Sequence, residues 1–117
     1  MTDRELLELA AKAAEIEGSY GFASDDYYYH GNTEGILTTL PDGQSYVWNP
    51  LTDDGDALRL AVKLKLAFAA WGSGACAVVF LHGGRGRIVE PHYGDDPERA
   101  TRRAIVRAAA EIGRGMP

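Results

Sequence analysis

Three apolar runs at 66–71, 75–81 and 87–93 are parted only by Gly72-Ser73-Gly74 and by a segment holding Gly83-Gly84-Arg85-Gly86. A parallel crossover needs about a dozen residues or more, so gaps this short leave antiparallel pairing as the only way to make neighbours of these runs. The middle run, ACAVVFL, is apolar without alternation. That pattern predicts a central strand covered on both faces.

Residues 19–50 carry the same signature in shorter pieces. The segments 20–22, 27–30, 36–40 and 45–48 are rich in aromatic and β-branched residues and are interrupted by Gly, Asn, Asp and Pro, as short strands and turns require. Pro41-Asp42-Gly43 supplies a preset φ followed by a residue that accepts positive φ. It predicts a hairpin joining 36–40 to 44–48.

Helices are expected at both ends and in the middle. Thr2 followed by Glu5 forms a capping box, and Leu6, Leu9, Ala10, Ala13 and Ile16 recur at helical spacing, with Gly18 as the stop. At the other end Asp95 or Asp96 caps a helix that begins at Pro97 and ends at Gly113. Its buried stripe is Ala100, Ala104, Ile105, Ala108 and Ile112, and Arg99, Arg103 and Arg107 line the opposite face. These elements predict an α+β domain over residues 1–117, with a mostly antiparallel sheet, helices on both faces and about three helices.

The central helix begins in an acidic stretch, Thr52-Asp53-Asp54-Gly55-Asp56. A calcium loop needs oxygen ligands at alternate positions and a Glu at the twelfth. Counted from Asp53, the twelfth residue is Leu64. Thr52 or Asp53 as N-cap explains the stretch better, with the remaining aspartates in the first turn at the positive end of the helix dipole, each worth about 0.3–1 kcal/mol. Arg59, Lys63 and Lys65 follow where positive charge is favoured.

A net charge of −5 disfavours wrapping by nucleic acid, whose dominant affinity term is phosphate neutralisation. The charge is uneven: residues 97–114 carry +3 and the rest −8. The order helix–strand–strand–strand–helix over 52–112 is that of double-stranded-RNA-binding domains, but acids stand where those domains present lysines. Cys76 is the only cysteine, so no internal disulfide is possible and a reducing cytoplasm fits. The opening MTDRELLELA is acidic and lacks the pattern of a secretory leader. His30, His82, His92 and Cys76 lack the close pairing that marks zinc sites, and Ser73 and Cys76 have no recognisable neighbouring base. Neither metal, cofactor nor catalytic activity is expected.

Three blocks resemble a known family. They are M-T-D-R-E-L-L-E-L-A-A-K-A-A, W-N-P-L-T-D-D-G-D-A-L-R-L-A-V-K-L and G-D-D-P-E-R-A-T-R-R-A-I-V-R-A-A-A-E-I-G, about half the chain. They are similar to the phage ABA-sandwich family, small proteins of bacteriophages and prophages in Gram-negative bacteria. The resemblance implies an α/β/α layered sandwich. It implies no activity, since the family is defined by fold. Small phage proteins of this type serve host takeover or block antiviral defence, including CRISPR systems. The expected function is therefore non-enzymatic binding of a host protein or complex in the host bacterial cytoplasm. The alternative is a nucleic-acid- or nucleotide-binding phage protein, and a structural phage component is a further reading.

The matching blocks are helix starts and helix faces, so specificity is expected in the segments between them. Gly83-Gly84-Arg85-Gly86-Arg87 joins an anion-binding backbone composition to two arginines. Asp25-Asp26-Tyr27-Tyr28-Tyr29-His30 sets acids beside alternating tyrosines, a composition favoured at protein interfaces. The candidate partner-binding residues are Asp25, Asp26, Tyr28, His30, Arg85 and Arg87.

Overall fold

The computed structural model describes residues 1–23, 33–71, 76–80, 86–91 and 96–117. The expected strand 27–30 and the glycine turns 72–74 and 83–85 lie outside them.

Helix α1 spans Asp3–Ala13 and opens with the capping box. The Glu5 N–H donates to Thr2 Oγ1 at 3.2 Å, and the Thr2 N–H donates back to Glu5 Oε1 at 3.2 Å. The backbone hydrogen bond from Thr2 holds the Glu5 carboxyl below its usual range. Gly18 does not stop this helix. Glu15 takes the left-handed φ of +59° instead, with Ile16 N–H bonded to Ala11 O and Glu15 N–H to Lys12 O. This is a Schellman closure, and it is set where Ile16 can pack on the core. Gly18 serves a close approach: a Cβ there would lie 2.2 Å from Leu37 O.

Strands β1 (Ser19–Phe22), β2 (Glu34–Thr39) and β3 (Ser45–Trp48) form one antiparallel sheet in that order. The expected hairpin is present, with Thr39 opposite Ser45. Leu40 N–H donates to Gln44 O at 2.8 Å and Gly43 N–H to Leu40 O at 2.9 Å, while Gly43 takes φ +89°. After α2 (Asp54–Lys63), strands β4 (Ala67–Trp71), β5 (Cys76–Phe80) and β6 (Arg87–Pro91) form a second antiparallel sheet with β5 central. Helix α3 (Pro97–Arg114) closes the chain. The fold is α+β with three helices, and its antiparallel strands divide into two three-stranded sheets.

Helix α3 organises the interior. It packs against α1, α2 and all three strands of the second sheet, while α1 also contacts β1 and β2. One apolar cluster runs through Leu6, Leu7, Ile36, Trp48, Leu60, Val79 and Ile105. Alanines dominate the buried residues of α1 and α3, and small side chains let helix axes approach. Gly113 takes this to its limit. It does not end α3, which runs to Arg114 with Gly115 as C-cap. A Cβ on Gly113 would lie 2.0 Å from Leu9 O, so this glycine is where α1 crosses α3.

Among the described elements, α3 covers one side of the second sheet. Val79 is fully buried and pairs with Ile88, on the face turned to α3. Phe80, the next residue, is 45% exposed. At Phe80 the expectation that β5 is covered on both faces is not met. Among the described helices only α3 packs on this sheet in force, and the described residues Phe80, Arg87 and Val89 on the other face are exposed.

Candidate functional site

The aspartates of the 53–56 stretch have three different tasks. Asp53 is the N-cap of α2, its carboxylate accepting the Asp56 N–H at 2.8 Å. Asp54 meets Arg102 Nη1 at 2.7 Å on the surface, and Arg102 Nε also donates to Leu51 O at 2.9 Å. These contacts join the start of α2 to α3. Asp56 has 0% exposure, which its placement in the first turn did not predict. It accepts from Tyr46 Oη at 2.7 Å, from the Asn49 N–H at 2.9 Å and from Arg59 Nη2 at 2.8 Å. The signal was its phase: Asp56 precedes Leu60 by four residues and so lies on the buried stripe with Ala57, Leu60 and Ala61.

The electrostatics follow from that burial. Desolvation first, and then the hydrogen bond to Asp56, push the Tyr46 phenol well above its ordinary value. The hydrogen bond to Asp56 raises Arg59 in turn. A fully buried carboxylate held by these donors is a fastening between β3 and α2. Among the described residues no group of three or more His, Cys, Asp or Glu side chains is arranged to hold a metal ion.

Beside this fastening lies a cleft of about 930 Å³ between the end of α1, the β2–β3 hairpin and α2. Ile16, Leu37, Leu40, Trp48 and Leu60 contribute to its apolar lining, Tyr46 and Asp56 of the fastening also border it, and Arg59 and Lys63 come from α2 and Glu15 and Glu17 from the tail of α1. The opposed charges offset one another, so the cleft presents no single-sign field to an ion.

Of the candidate partner-binding residues, Arg87 is described, and Asp25, Asp26, Tyr28, His30 and Arg85 lie outside the described residues. Arg87 opens β6, is exposed, and stands directly opposite Phe80. Directly paired residues project to the same face, and Val89, two residues along β6, joins them there at 41% exposure. Arg87, Phe80 and Val89 thus share the open face of the second sheet. Sequence reasoning passed over Phe80 and Val89 because an unbroken apolar run reads as buried.

The arginine face of α3 is largely satisfied within the molecule. Arg107 Nη1 donates to Glu90 Oε2 at 2.6 Å and to Val89 O at 3.1 Å. Arg103 meets Asp3 at 3.0 Å and Glu90 at 3.7 Å. Arg99 lies exposed in the first turn. Neither family models, curated proteins nor solved structures give a match to this chain.

Proposed function

We propose that this is a small bacteriophage accessory protein that binds a host protein without catalysis, such as a component of an antiviral defence system of the CRISPR kind. The three family-like blocks support the phage assignment. The observation that carries the binding reading is the open sheet face holding Arg87, Phe80 and Val89. An arginine set among aromatic and aliphatic side chains has the composition of an interface hot spot. Arg87 is the one charged residue described on that face, so the complementary surface is apolar and carries a carboxylate. The internal pairing of Arg103 and Arg107 favours this over the nucleic-acid alternative.

The test starts with capture from host lysate and mass spectrometry, followed by calorimetry on the purified partner. Phe80→Ala and Arg87→Ala are expected to keep the wild-type circular dichroism and to weaken binding by at least about 2 kcal/mol each. Wild-type binding by both variants, or loss of binding in Arg103→Ala alone, places the interface elsewhere. Binding of duplex DNA or RNA tighter than about 10⁻⁵ M with a steep salt slope would instead establish the nucleic-acid reading.

A further inference from the structure

The two edges of the second sheet are treated differently. The β6 edge is guarded: the strand carries Arg87, Glu90 and Pro91, and Arg107 covers the Val89 carbonyl. Charges, proline and covered carbonyls are what keep an edge strand from pairing with another chain. The β4 edge shows none of these among the described residues. Its sequence is AFAAW, without charge or proline, and no described residue hydrogen-bonds to its outer side.

An apolar surface adjoins this unguarded edge. Leu58 of α2 and Phe68 of β4 line a single shallow cleft of about 310 Å³, with Ala57 and Ile105 also in its wall. Leu58 is 56% exposed and Val62, one turn further along α2, is 68% exposed. Taking such side chains out of water is favourable, so their exposure on two successive turns is a driving force for association.

We infer that this surface is a self-association site, covered by a second copy of the chain across a two-fold axis. The charge pattern selects that occupant. Asp54, Leu58 and Val62 follow one another at four-residue spacing on one face of α2, and the exposed Lys65 stands just beyond the helix end. When two such helices lie antiparallel, Leu58 of each sits over Val62 of the other. The Asp54 carboxylate pairs with Arg102 of its own chain but keeps 75% side-chain exposure, and in this arrangement it also meets the basic Lys65 end of the copy, while the helix dipoles oppose. A two-fold interface must be complementary to itself, and this stripe is. The uncharged β4 edge sets no like charges against each other when it meets its own copy. The inference does not depend on the host-protein reading, and it leaves the Arg87–Phe80–Val89 face uncovered.

Sedimentation velocity of the full chain from about 1 to about 200 µM is the test, since dimerisation follows mass action. The 12.7 kDa monomer is expected to give way to a species of twice that mass. Leu58→Glu and Val62→Glu change side chains already in water, so the fold should hold by circular dichroism while the dimer weakens at least tenfold. Lys65→Asp should weaken it as well, because it sets an acid against the Asp54 end of the copy, whereas Lys65→Arg should leave it intact. A chain that stays monomeric throughout overturns the inference, as does a dimer indifferent to Leu58→Glu or to Lys65→Asp.

Discussion

Gly113→Ala sets two opposing effects against each other, and the structure decides between them. In an ordinary helix interior the change is favourable, because alanine is about 1 kcal/mol better than glycine there. At this position the new Cβ would lie 2.0 Å from Leu9 O and 2.9 Å from Leu9 C. Both are backbone atoms of α1, so no side-chain rotation relieves the contact. Van der Waals separation requires α1 to retreat by about 1 Å or more, which opens the alanine-lined seam and forfeits its close contacts. Overpacking of a well-filled core costs typically about 1–3 kcal/mol, and a clash with rigid backbone belongs at or above the upper end. Set against the propensity gain of about 1 kcal/mol, the net loss is about 2 kcal/mol. At about 3–5 °C per kcal/mol for a chain of this size, Tm should fall by about 6–10 °C. Gly115→Ala is the internal control. Gly115 has φ −80°, and the nearest atom to its added Cβ is 3.6 Å away, so the change should be neutral or stabilising by up to about 1 kcal/mol. Urea denaturation followed by circular dichroism measures both. A Gly113→Ala protein as stable as wild type, or more so, would refute the helix-crossing argument.

The Asp56 fastening makes two further predictions. Asp56→Ala strands the Tyr46 hydroxyl and the Asn49 N–H and should cost about 2–4 kcal/mol, against about 1–2 kcal/mol for Tyr46→Phe. Because the two share one hydrogen bond, the double variant should be less destabilised than the sum of the single changes; strict additivity in urea melts would show that the pair is not coupled. The raised Tyr46 phenol also predicts alkaline sensitivity. A group whose folded pKa exceeds its unfolded value of about 10 contributes stability that is complete below about pH 10 and is lost as pH rises beyond it. Stability should therefore decline above pH 10 more steeply in wild type than in Tyr46→Phe, and equal slopes would contradict the assignment.

Features made by residues near one another in the chain were legible in the sequence. The Thr2–Glu5 capping box, the Asp53 N-cap, Pro97 at the start of α3 and the Pro41-Asp42-Gly43 hairpin all form as the local pattern requires. The short gaps between 66 and 93 likewise dictated antiparallel neighbours, because chain length alone forbids anything else there. Of the candidate site, Arg87 was legible as an exposed turn-flanking cation, and the structure adds the neighbours that make a surface of it.

Where the local pattern misled, a distant partner decided the outcome. Gly18 and Gly113 look like helix terminators in sequence; each is instead a point where another backbone passes too close for a Cβ, Leu37 O in one case and Leu9 O in the other. Asp56 shares the acidic first-turn cue of Asp54 and differs in its phase with Leu60, and what makes its burial tolerable is that Tyr46, Asn49 and Arg59 converge on it. Phe80 belongs to a run as apolar as any core strand, yet it faces out because α3 covers only one side of the second sheet. Caps, turns and gap lengths are settled by interactions within a few residues, whose energies the sequence displays directly. Burial is settled by what arrives from elsewhere in the chain, and only the folded arrangement of α1, α2 and α3 determines that.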